Sequence, residues 1–379
     1  MTKWKTYTLK ELSKGKGEYG IGASAVPFDK GKYTYLRITD INDDGTLNKS
    51  GLMSVEDENA GRYFLTKNDV VFARTGNSTG RSYFYDGSDG ELVYAGFLIR
   101  FHLDEAKVNP KILKYYTHSK PYYDWVKSFD TGGTRGNINA KTYGDMPMYL
   151  PPRQIQDRIA EILGAIDDKI ENNRRINANL ESQAQALYKQ WFVDNRSDDW
   201  EEKPLSEIIN IYDSQRKPLS GQQREKMDKV YPYYGAASLM DYVDDYLFDG
   251  IYLLLGEDGT VVDELGFPIL QYVWGKFWVN NHAHILTGKN GFSTETLYVL
   301  LKQTSVKSIV TGAVQPKISQ ANLKNILVTI PPKQQLSKYN EVIEPLFRTI
   351  RKNNDESSRL ATLRDSLLPK LMNGEIKTE

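Results

Sequence analysis

The segment LPPRQ at positions 150–154 recurs as IPPKQ at positions 330–334, so the two copies begin 180 residues apart. The same offset, without a gap, matches three earlier residues with three later ones: Thr131 with Thr311, Gly132 with Gly312, and Ile138 with Ile318. Chance rarely produces a gapless match of this length. The sequence therefore predicts an internal repeat, which constrains the architecture more than any single motif does.

Two further matches extend the repeat towards the beginning of each copy. The same register places Gly76 over Gly256, and each glycine lies at the end of a short apolar run that is typical of a strand. A second, looser alignment pairs Trp4 with Trp200. These tryptophans match between the copies, so we assign them a structural role.

Each copy consists of a globular portion followed by a helical one. Portions 1–150 and 196–331 contain short runs of Tyr, Val and Ile that are broken by Gly, Asn and Asp turns, which indicates a mixed α/β domain. Segments 151–195 and 332–379 carry apolar residues at alternating spacings of three and four, which indicates long amphipathic helices. The predicted fold is α/β, with two pseudo-repeated domains separated by two long helices.

The apolar spacing in the two helices suits an antiparallel coiled coil between the copies. The predicted apolar seam consists of Ile159, Ile166, Ile170, Leu180, Leu187, Ile343, Leu346, Ile350, Leu360 and Leu367. Polar residues interrupt it at matched points: Asn173 and Asn177 in the first helix, Asn353 and Ser357 in the second. Facing polar residues would fix the register of the pair. The alternative is two separate helical hairpins, each packed on its own domain.

Composition excludes several classes of protein. Cysteine is absent from all 379 residues, so the chain has no disulfide, thiolate nucleophile or cysteine-based zinc site, which fits a reducing compartment. Residues 1–10 are polar, and no apolar run approaches the length that spans a bilayer. We therefore expect a cytoplasmic protein of two or three domains that has no membrane partner.

Charge is balanced over the whole chain but segregated along it. Lys plus Arg and Asp plus Glu number 49 each, so any phosphate-binding surface has to be local. Residues 302–333 contain five lysines and no acid, whereas residues 240–264 contain eight acids and no Lys or Arg. An ordinary solvated face would produce similar runs, so charge alone does not decide the function.

Glycine-containing loops in both copies carry side chains that could contact DNA. The loop at 76–82 lacks the spacing and the lysine of a nucleotide-binding P-loop, but it offers backbone N–H groups and guanidinium donors. The loop at 131–137 and its repeat at 311–317 are similarly polar. The candidates for DNA contact are Arg74, Asn77, Ser78, Thr79, Arg81, Thr134, Arg135, Asn137, Gln315 and Lys317. Turns that bind no ligand would use the same glycines.

Motifs for catalysis or metal binding are weak. His282 and His284 alternate along a predicted strand, which places both rings on one face, as in some metal sites. No third ligand is evident nearby in the sequence, so we interpret them as hydrogen-bonded strand histidines and predict no metal site. The nuclease-like triplet at 105–107 has no equivalent in the second copy. The sequence therefore predicts no catalytic residue.

These patterns together resemble the specificity subunit of a type I restriction-modification enzyme, along essentially the whole chain. Besides the two proline-containing repeats, the resemblance rests on four segments: LYKQWF at 187–192, LLPKLMNGE at 367–375, ARTG at 73–76 and NNHAH at 280–284. The last of these adds Asn281 and His282 to the candidates for DNA contact.

The resemblance implies two target-recognition domains, each reading one half of a split double-stranded DNA site. It implies that the paired helices set the distance between these domains and dock two methyltransferase subunits, with restriction subunits in the complete complex. S-adenosylmethionine, ATP and Mg would then belong to those partners, and this chain would have no cofactor and no catalytic activity.

Two rivals from other classes stay open on the sequence alone. One is a free-standing two-armed DNA-binding repressor, and the other is a DNA-processing enzyme. The acidic stretch at 240–264 departs from what a DNA-binding domain suggests. It would either face away from DNA or read the amino group of a cytosine.

Overall fold

The computed structural model describes residues 4–130, 136–312 and 314–376. The chain divides into two compact units: unit 1 is Met1–Ile170 with Ser358–Glu379, and unit 2 is Glu171–Ser357. Each unit therefore contains one globular portion together with a segment of each long helix. The candidate residues Thr134 and Arg135 lie outside the described part of the chain.

The globular portion of unit 1 is formed by short strands and short helices. The strands are β1 (Lys5–Thr8), β2 (Glu18–Tyr19), β3 (Ala25–Val26), β4 (Tyr33–Leu36), β5 (Met53–Val55), β6 (Asp69–Ala73), β7 (Ser82–Tyr85), β8 (Leu92–Tyr94), β9 (Leu98–His102) and β10 (Pro147–Leu150). The helices are α1 (Lys111–Tyr116), α2 (Lys120–Lys127) and α3 (Ala140–Gly144). One sheet has the order β2-β9-β6-β7 and another the order β3-β5-β4-β8, while β1 pairs with β10.

Strand β6 is at the centre of unit 1 because its sequence, DVVFA, is apolar towards both faces of the sheet. Val70 and Phe72 lie in one hydrophobic cluster, and Val71 and Ala73 lie in another. Successive side chains of a strand point to opposite faces, so both sides of this sheet are covered. The cluster that contains Phe72 also contains Ile159 of the first long helix, so this helix packs onto one face of the sheet.

The globular portion of unit 2 is likewise formed by strands and short helices. Its strands are β11 (Glu202–Pro204), β12 (Ile209–Ile211), β13 (Tyr231–Tyr234), β14 (Leu239–Val243), β15 (Phe248–Gly256), β16 (Leu270–Val279), β17 (Ala283–Gly288) and β18 (Leu327–Thr329). The first long helix is α4 (Arg153–Tyr188), and the short helices of unit 2 are α5 (Gly221–Glu225), α6 (Thr294–Leu301) and α7 (Gln320–Lys324). The main sheet has the order β12-β17-β15-β16-β13-β14, and β11 pairs with β18.

The two units share a common strand arrangement, which confirms the internal repeat. The order β2-β9-β6-β7 in unit 1 corresponds to β12-β17-β15-β16 in unit 2. Downstream, the side chain of Asn139 caps α3 by accepting a hydrogen bond from the backbone N–H of Thr142. In the same way, Ser319 caps α7 by accepting from the N–H of Asn322. Positions 139 and 319 are 180 residues apart, as the predicted repeat requires.

Each tandem proline is followed directly by a long helix. Helix α4 is Arg153–Tyr188, continued by a π-helical segment, Lys189–Asp194, and helix α8 is Lys333–Met372. Proline disfavours a helical residue before it and costs nothing in the first helical turn, which explains both starting points. Both helices are continuous, so the alternative of two separate hairpins is wrong. Among the described residues, none of the helices combines the length and the apolarity that crossing a bilayer needs.

The segments of α4 and α8 in unit 2 run antiparallel. The Nδ2 of Asn173 donates a hydrogen bond to the Oγ of Ser357 at 3.2 Å. Further along α4, the carbonyl of Ala184 accepts from the hydroxyl of Tyr339 at 2.8 Å. The contacting positions rise along α4 while they fall along α8, which confirms the predicted direction of pairing.

A polar layer interrupts the apolar seam where the sequence predicts it. The Nδ2 of Asn353 donates to the Oδ1 of Asn177 at 2.8 Å, and the Nδ2 of Asn173 also reaches the carbonyl of Asn353 at 3.3 Å. The buried Oδ1 of Asn173 has no hydrogen-bond partner among the described residues. An out-of-register pairing would bury several of these amides against apolar side chains, so the layer favours one register.

The predicted seam residues are covered by the chain itself. Ile159, Ile343 and Ile350 are buried. The others are half-buried: Ile166, Ile170, Leu180, Leu187, Leu346, Leu360 and Leu367. The three buried isoleucines pack within the hydrophobic clusters of their own units.

Candidate nucleic-acid interface

Both units end their central strand at an equivalent structural position. Strand β6 ends at Ala73, which pairs with Leu98 of β9, and β15 ends at Gly256, which pairs with Ala283 of β17. Ala73 is therefore the equivalent of Gly256. The predicted register, which placed Gly76 over Gly256, is wrong by three residues, because the segments between the strand ends and the later repeat differ in length.

The residue that follows each strand end is held by the same backbone contact. The carbonyl of Arg74 accepts a hydrogen bond from the N–H of Ile138 at 3.0 Å, and the carbonyl of Glu257 accepts from the N–H of Ile318 at 2.8 Å. Ile138 and Ile318 are repeat equivalents in the sequence. Unit 1 thus has an arginine where unit 2 has a glutamate.

Arg74 is stacked against two aromatic side chains. Its guanidinium carbon lies 5.1 Å from the ring centroid of Tyr19 and 5.9 Å from that of Phe97, which is the range of cation–π contact. Both rings are exposed at the surface, Tyr19 at 42% and Phe97 at 55%. The buried Nε of Arg74 has no hydrogen-bond partner, and no carboxylate forms an ion pair with Arg74, within the described part of the chain.

The loop after β6 turns sharply at Gly76, whose φ of +70° favours glycine. The loop is closed by the hydroxyl of Thr79, which donates to the carbonyl of Gly76 at 2.8 Å. Ser78 is buried, whereas Asn77 is exposed, as is Asn137. Of the predicted DNA-contact residues in this region, Asn77 and Asn137 are therefore accessible, and Ser78 is not.

The side chain of Arg81 is held by hydrogen bonds within unit 1. Its Nε donates to the Oδ1 of Asp43 at 2.6 Å and its Nη1 donates to the carbonyl of Ile41 at 3.2 Å. These contacts join the loop after β6 to the neighbouring 41–43 segment. Arg81 therefore differs from Arg74, whose guanidinium has no such acceptor among the residues that the structure describes.

In unit 2, Glu257 is surrounded by cations. The Nη1 of Arg216 donates to its Oε2 at 2.6 Å, and the Nζ of Lys317 lies 3.3 Å from its Oε1. Burial alone would raise the pKa of the Glu257 carboxyl, but the hydrogen bond from Arg216 and the charge of His284 hold it below its ordinary value. Glu257 is thus an ionised carboxylate whose oxygens already have partners.

His284 joins this cluster from strand β17, where it is fully buried. Its Nδ1 lies 2.6 Å from the Oδ2 of Asp213, and its Nε2 lies 2.8 Å from the carbonyl of Ile318. Burial alone would raise the pKa of the Asp213 carboxyl, but the hydrogen bond and charge of His284 lower it. The contact of its Nε2 with the carbonyl of Ile318 links β17 to the 311–318 loop.

The donor types of this cluster would suit a metal ion. Asp213, Glu257 and His284 each offer one ligand atom, and these atoms lie within 4.8 Å of one another. However, both nitrogens of His284 and the nearer carboxylate oxygens already have hydrogen-bond partners. The sequence around His284 does not indicate this cluster, because Asp213 is 71 residues from the histidine and meets it only through the fold of the sheet.

The remaining candidates of unit 2 surround the same strand end. His282 pairs with Asp258 through its Nδ1, and Asn281 is exposed while its carbonyl accepts from Arg216 at 3.2 Å. Gln315 is exposed in the 311–317 loop. The structure therefore brings these candidates together with Lys317 around Glu257.

Part of the acidic stretch is neutralised within unit 2. Asp241 accepts from the Nε of Arg224 at 3.1 Å and from the Nζ of Lys229 at 2.9 Å. Asp263 accepts from the backbone N–H groups of Leu265 and Phe267 at 3.0 and 2.9 Å. The charge that the sequence segregates along the chain is thus partly balanced by the fold.

Comparison with known families identifies the repeated domain. The family model described as "Type I restriction modification DNA specificity domain" matches residues 1–182 and 197–361. Together the two matches cover most of the chain, and there is one match for each copy of the repeat.

Individual proteins agree with this assignment. A type I restriction enzyme specificity subunit of Haemophilus influenzae is 35% identical over 144 residues, which are 38% of this chain and 36% of that relative. The MjaIX specificity subunit of Methanocaldococcus jannaschii is 27% identical over 307 residues, 70% of this chain and 69% of the relative. The type I S subunit from M. genitalium has the same fold, with a TM-score of 0.54, 20% identity, and coverage of 98% and 96%. The chain therefore belongs to the family of type I restriction-modification DNA specificity proteins.

Proposed function

We propose that this chain is a non-catalytic subunit that binds double-stranded DNA, with unit 1 and unit 2 each reading one half of a split site. The observation that carries the proposal is that the two matches to one specificity domain fall on two units that share an order of four strands. Equivalent positions hold different side chains, Arg74 and Glu257, so the two halves of the site would differ in sequence.

The proposal assigns the chemistry to partner subunits in the cytoplasm. Two methyltransferase subunits would bind S-adenosylmethionine, and restriction subunits would use ATP and Mg for cleavage. Because Ile159, Ile343 and Ile350 of the seam are buried, we place methyltransferase docking on the exposed faces of α4 and α8. These faces include the exposed apolar side chains of Ile176, Val342 and Leu363.

A free-standing repressor would bind a similar split site without partners. The two functions differ in what accompanies the chain when it is purified from its host. A specificity subunit should co-purify with methyltransferase subunits, and its DNA site should be methylated in that host. A repressor should be isolated alone and leave its site unmethylated.

Selection from a library of random DNA duplexes tests the proposal. We expect the full-length chain, purified with the subunits that accompany it, to select duplexes with two short specified segments separated by a fixed unspecified spacer. The selected duplexes should bind roughly a thousandfold or more tighter than random ones at the same salt concentration. Selection of one uninterrupted motif, or of no sequence, would contradict the proposed function.

A further inference from the structure

We infer, on the basis of the proposed function, that Arg74 reads a guanine in the half-site bound by unit 1, and that unit 2 has no counterpart of this contact. Guanine presents two acceptors, O6 and N7, in the major groove, and the planar fork of an arginine matches them. Both the arginine and its setting in unit 1 have the features that such a contact requires.

The backbone and the side chain of Arg74 are both positioned before any DNA binds. Its N–H donates to the carbonyl of Phe97 at 3.1 Å, and its carbonyl accepts from Ile138 at 3.0 Å. The ring of Tyr19, on which the guanidinium stacks, is itself held because its hydroxyl accepts from the N–H of Ala140 at 3.1 Å. A guanidinium group that is already oriented loses less conformational entropy when it binds a base.

The donors of Arg74 have no competing acceptor in the described part of the chain. The Nε lacks a partner, and no carboxylate pairs with the guanidinium. By contrast, Arg81 on the same loop is occupied by Asp43 and Ile41. Within the described residues no hydrogen bond occupies the terminal amino groups of the guanidinium, and a base edge supplies two acceptors for them.

Unit 2 has a different arrangement at the same place. Its equivalent residue, Glu257, is an acid whose oxygens are taken by Arg216 and Lys317. His282 is the equivalent in unit 2 of Phe97 in unit 1. The carbonyl of Phe97 accepts from the N–H of Arg74, and the carbonyl of His282 accepts from the N–H of Glu257. Among its described residues, unit 2 therefore has no unpaired guanidinium stacked on aromatic rings at this position.

The inference is tested with duplexes that carry 7-deazaguanine, which lacks the N7 acceptor. The half-site of unit 1 is first assigned as the half that changes when residues 1–150 are exchanged. Each guanine of the selected site is then replaced in turn, and binding by the full-length chain with its accompanying subunits is measured. We expect one guanine, in the half-site of unit 1, whose replacement weakens binding by roughly 5- to 150-fold.

The variant Arg74→Ala should weaken binding to the normal site by a similar factor and should be insensitive to 7-deazaguanine at that one position. Arg74→Lys keeps the charge but loses the fork, so it should lose most of the discrimination. Lys141→Ala is the matched control, because it removes an exposed cation of unit 1. It should at most weaken binding equally for all sequences.

Three results would overturn the inference. The first is a unit 1 half-site without guanine on either strand. The second is that Arg74→Ala weakens binding by the same factor whether or not any guanine is replaced by 7-deazaguanine. Arg74 would then contact a phosphate rather than a base. The third is coupling of Arg74 to a guanine in the other half-site. Selection of no split site by the unaltered protein would instead contradict the proposed function itself.

Discussion

A chain in which both long helices are lengthened by one heptad, at the opposed positions after Asn177 and Asn353, is expected to fold but to lose its original DNA site. These positions are opposed in the polar layer, so seven added residues in each helix preserve the seam. If the helices set the distance between the two readers, the insertion moves one reader by about 10 Å along the helix axis.

That displacement corresponds to about three base pairs of B-DNA, which also turn through about a third of a helical repeat. Affinity for the original site should fall towards the non-specific level, a loss of roughly a thousandfold or more. Selection from random duplexes should recover the same two half-sites with a longer spacer, or no split site. Circular dichroism and mass would verify that the longer helices are intact.

Insertion of the same heptad in α4 alone is the matched control, because it shifts the seam on one side only. This control should lower thermal stability, whereas the double insertion should not. If the double insertion retained its original half-sites with the original spacer, the helices would not set the distance between the readers.

Replacing Arg216 by Met is expected to destabilise unit 2 by about 3–5 kcal/mol, since it removes a cation that pairs with the largely buried carboxylates of Asp213 and Glu257. The Arg216 side chain donates to Glu257 and, at 2.9 Å, to the carbonyl of Ala283 at the start of β17. Hydrogen exchange should accelerate in peptides that cover β15 and β17 of unit 2. Arg196→Met is the control, because the Arg196–Glu202 pair is 39% and 50% exposed and should contribute at most about 1 kcal/mol.

The same cluster predicts a dependence of stability on pH. The pKa values of Asp213 and Glu257 are held below the ordinary values of 3.8 and 4.5. Their ionised forms therefore stabilise the folded unit at pH values above this range, and that stability is lost as the pH falls through the lowered pKa values. Arg216→Met should flatten this acid-induced loss. An equal loss below pH 4.5 in both proteins would contradict the role given to the cluster.

The repeat and the long helices could be predicted because their signals are local. Tandem prolines and apolar spacing each act within a few residues of the element that they determine. The matched polar interruptions, Asn173 and Asn177 in one helix and Asn353 and Ser357 in the other, also favoured pairing of the two helices. Periodicity and capping depend on the local chain, and insertions elsewhere do not disturb them.

The site was less predictable, because its residues meet through the sheet. Equivalent residues of the two copies are 180 positions apart at the helix caps but 183 apart at the strand ends, Ala73 and Gly256, because the segments between these points differ in length. A gapless alignment therefore missed the equivalence of Arg74 and Glu257. The partner of His284, Asp213, is distant in the sequence. Nothing in the sequence distinguished Arg74 from Arg81, whose acceptor Asp43 is known only from the fold.

The most direct test of the two-reader account is to exchange residues 1–150 for the equivalent portion of a relative that has a different DNA site. The hybrid is expressed with its methyltransferase subunits, and methylated positions are mapped across the genome of the host. We expect one half of the site to change to that of the relative, while the other half and the spacer length stay as they were. A change in both halves, or in neither, would contradict the account.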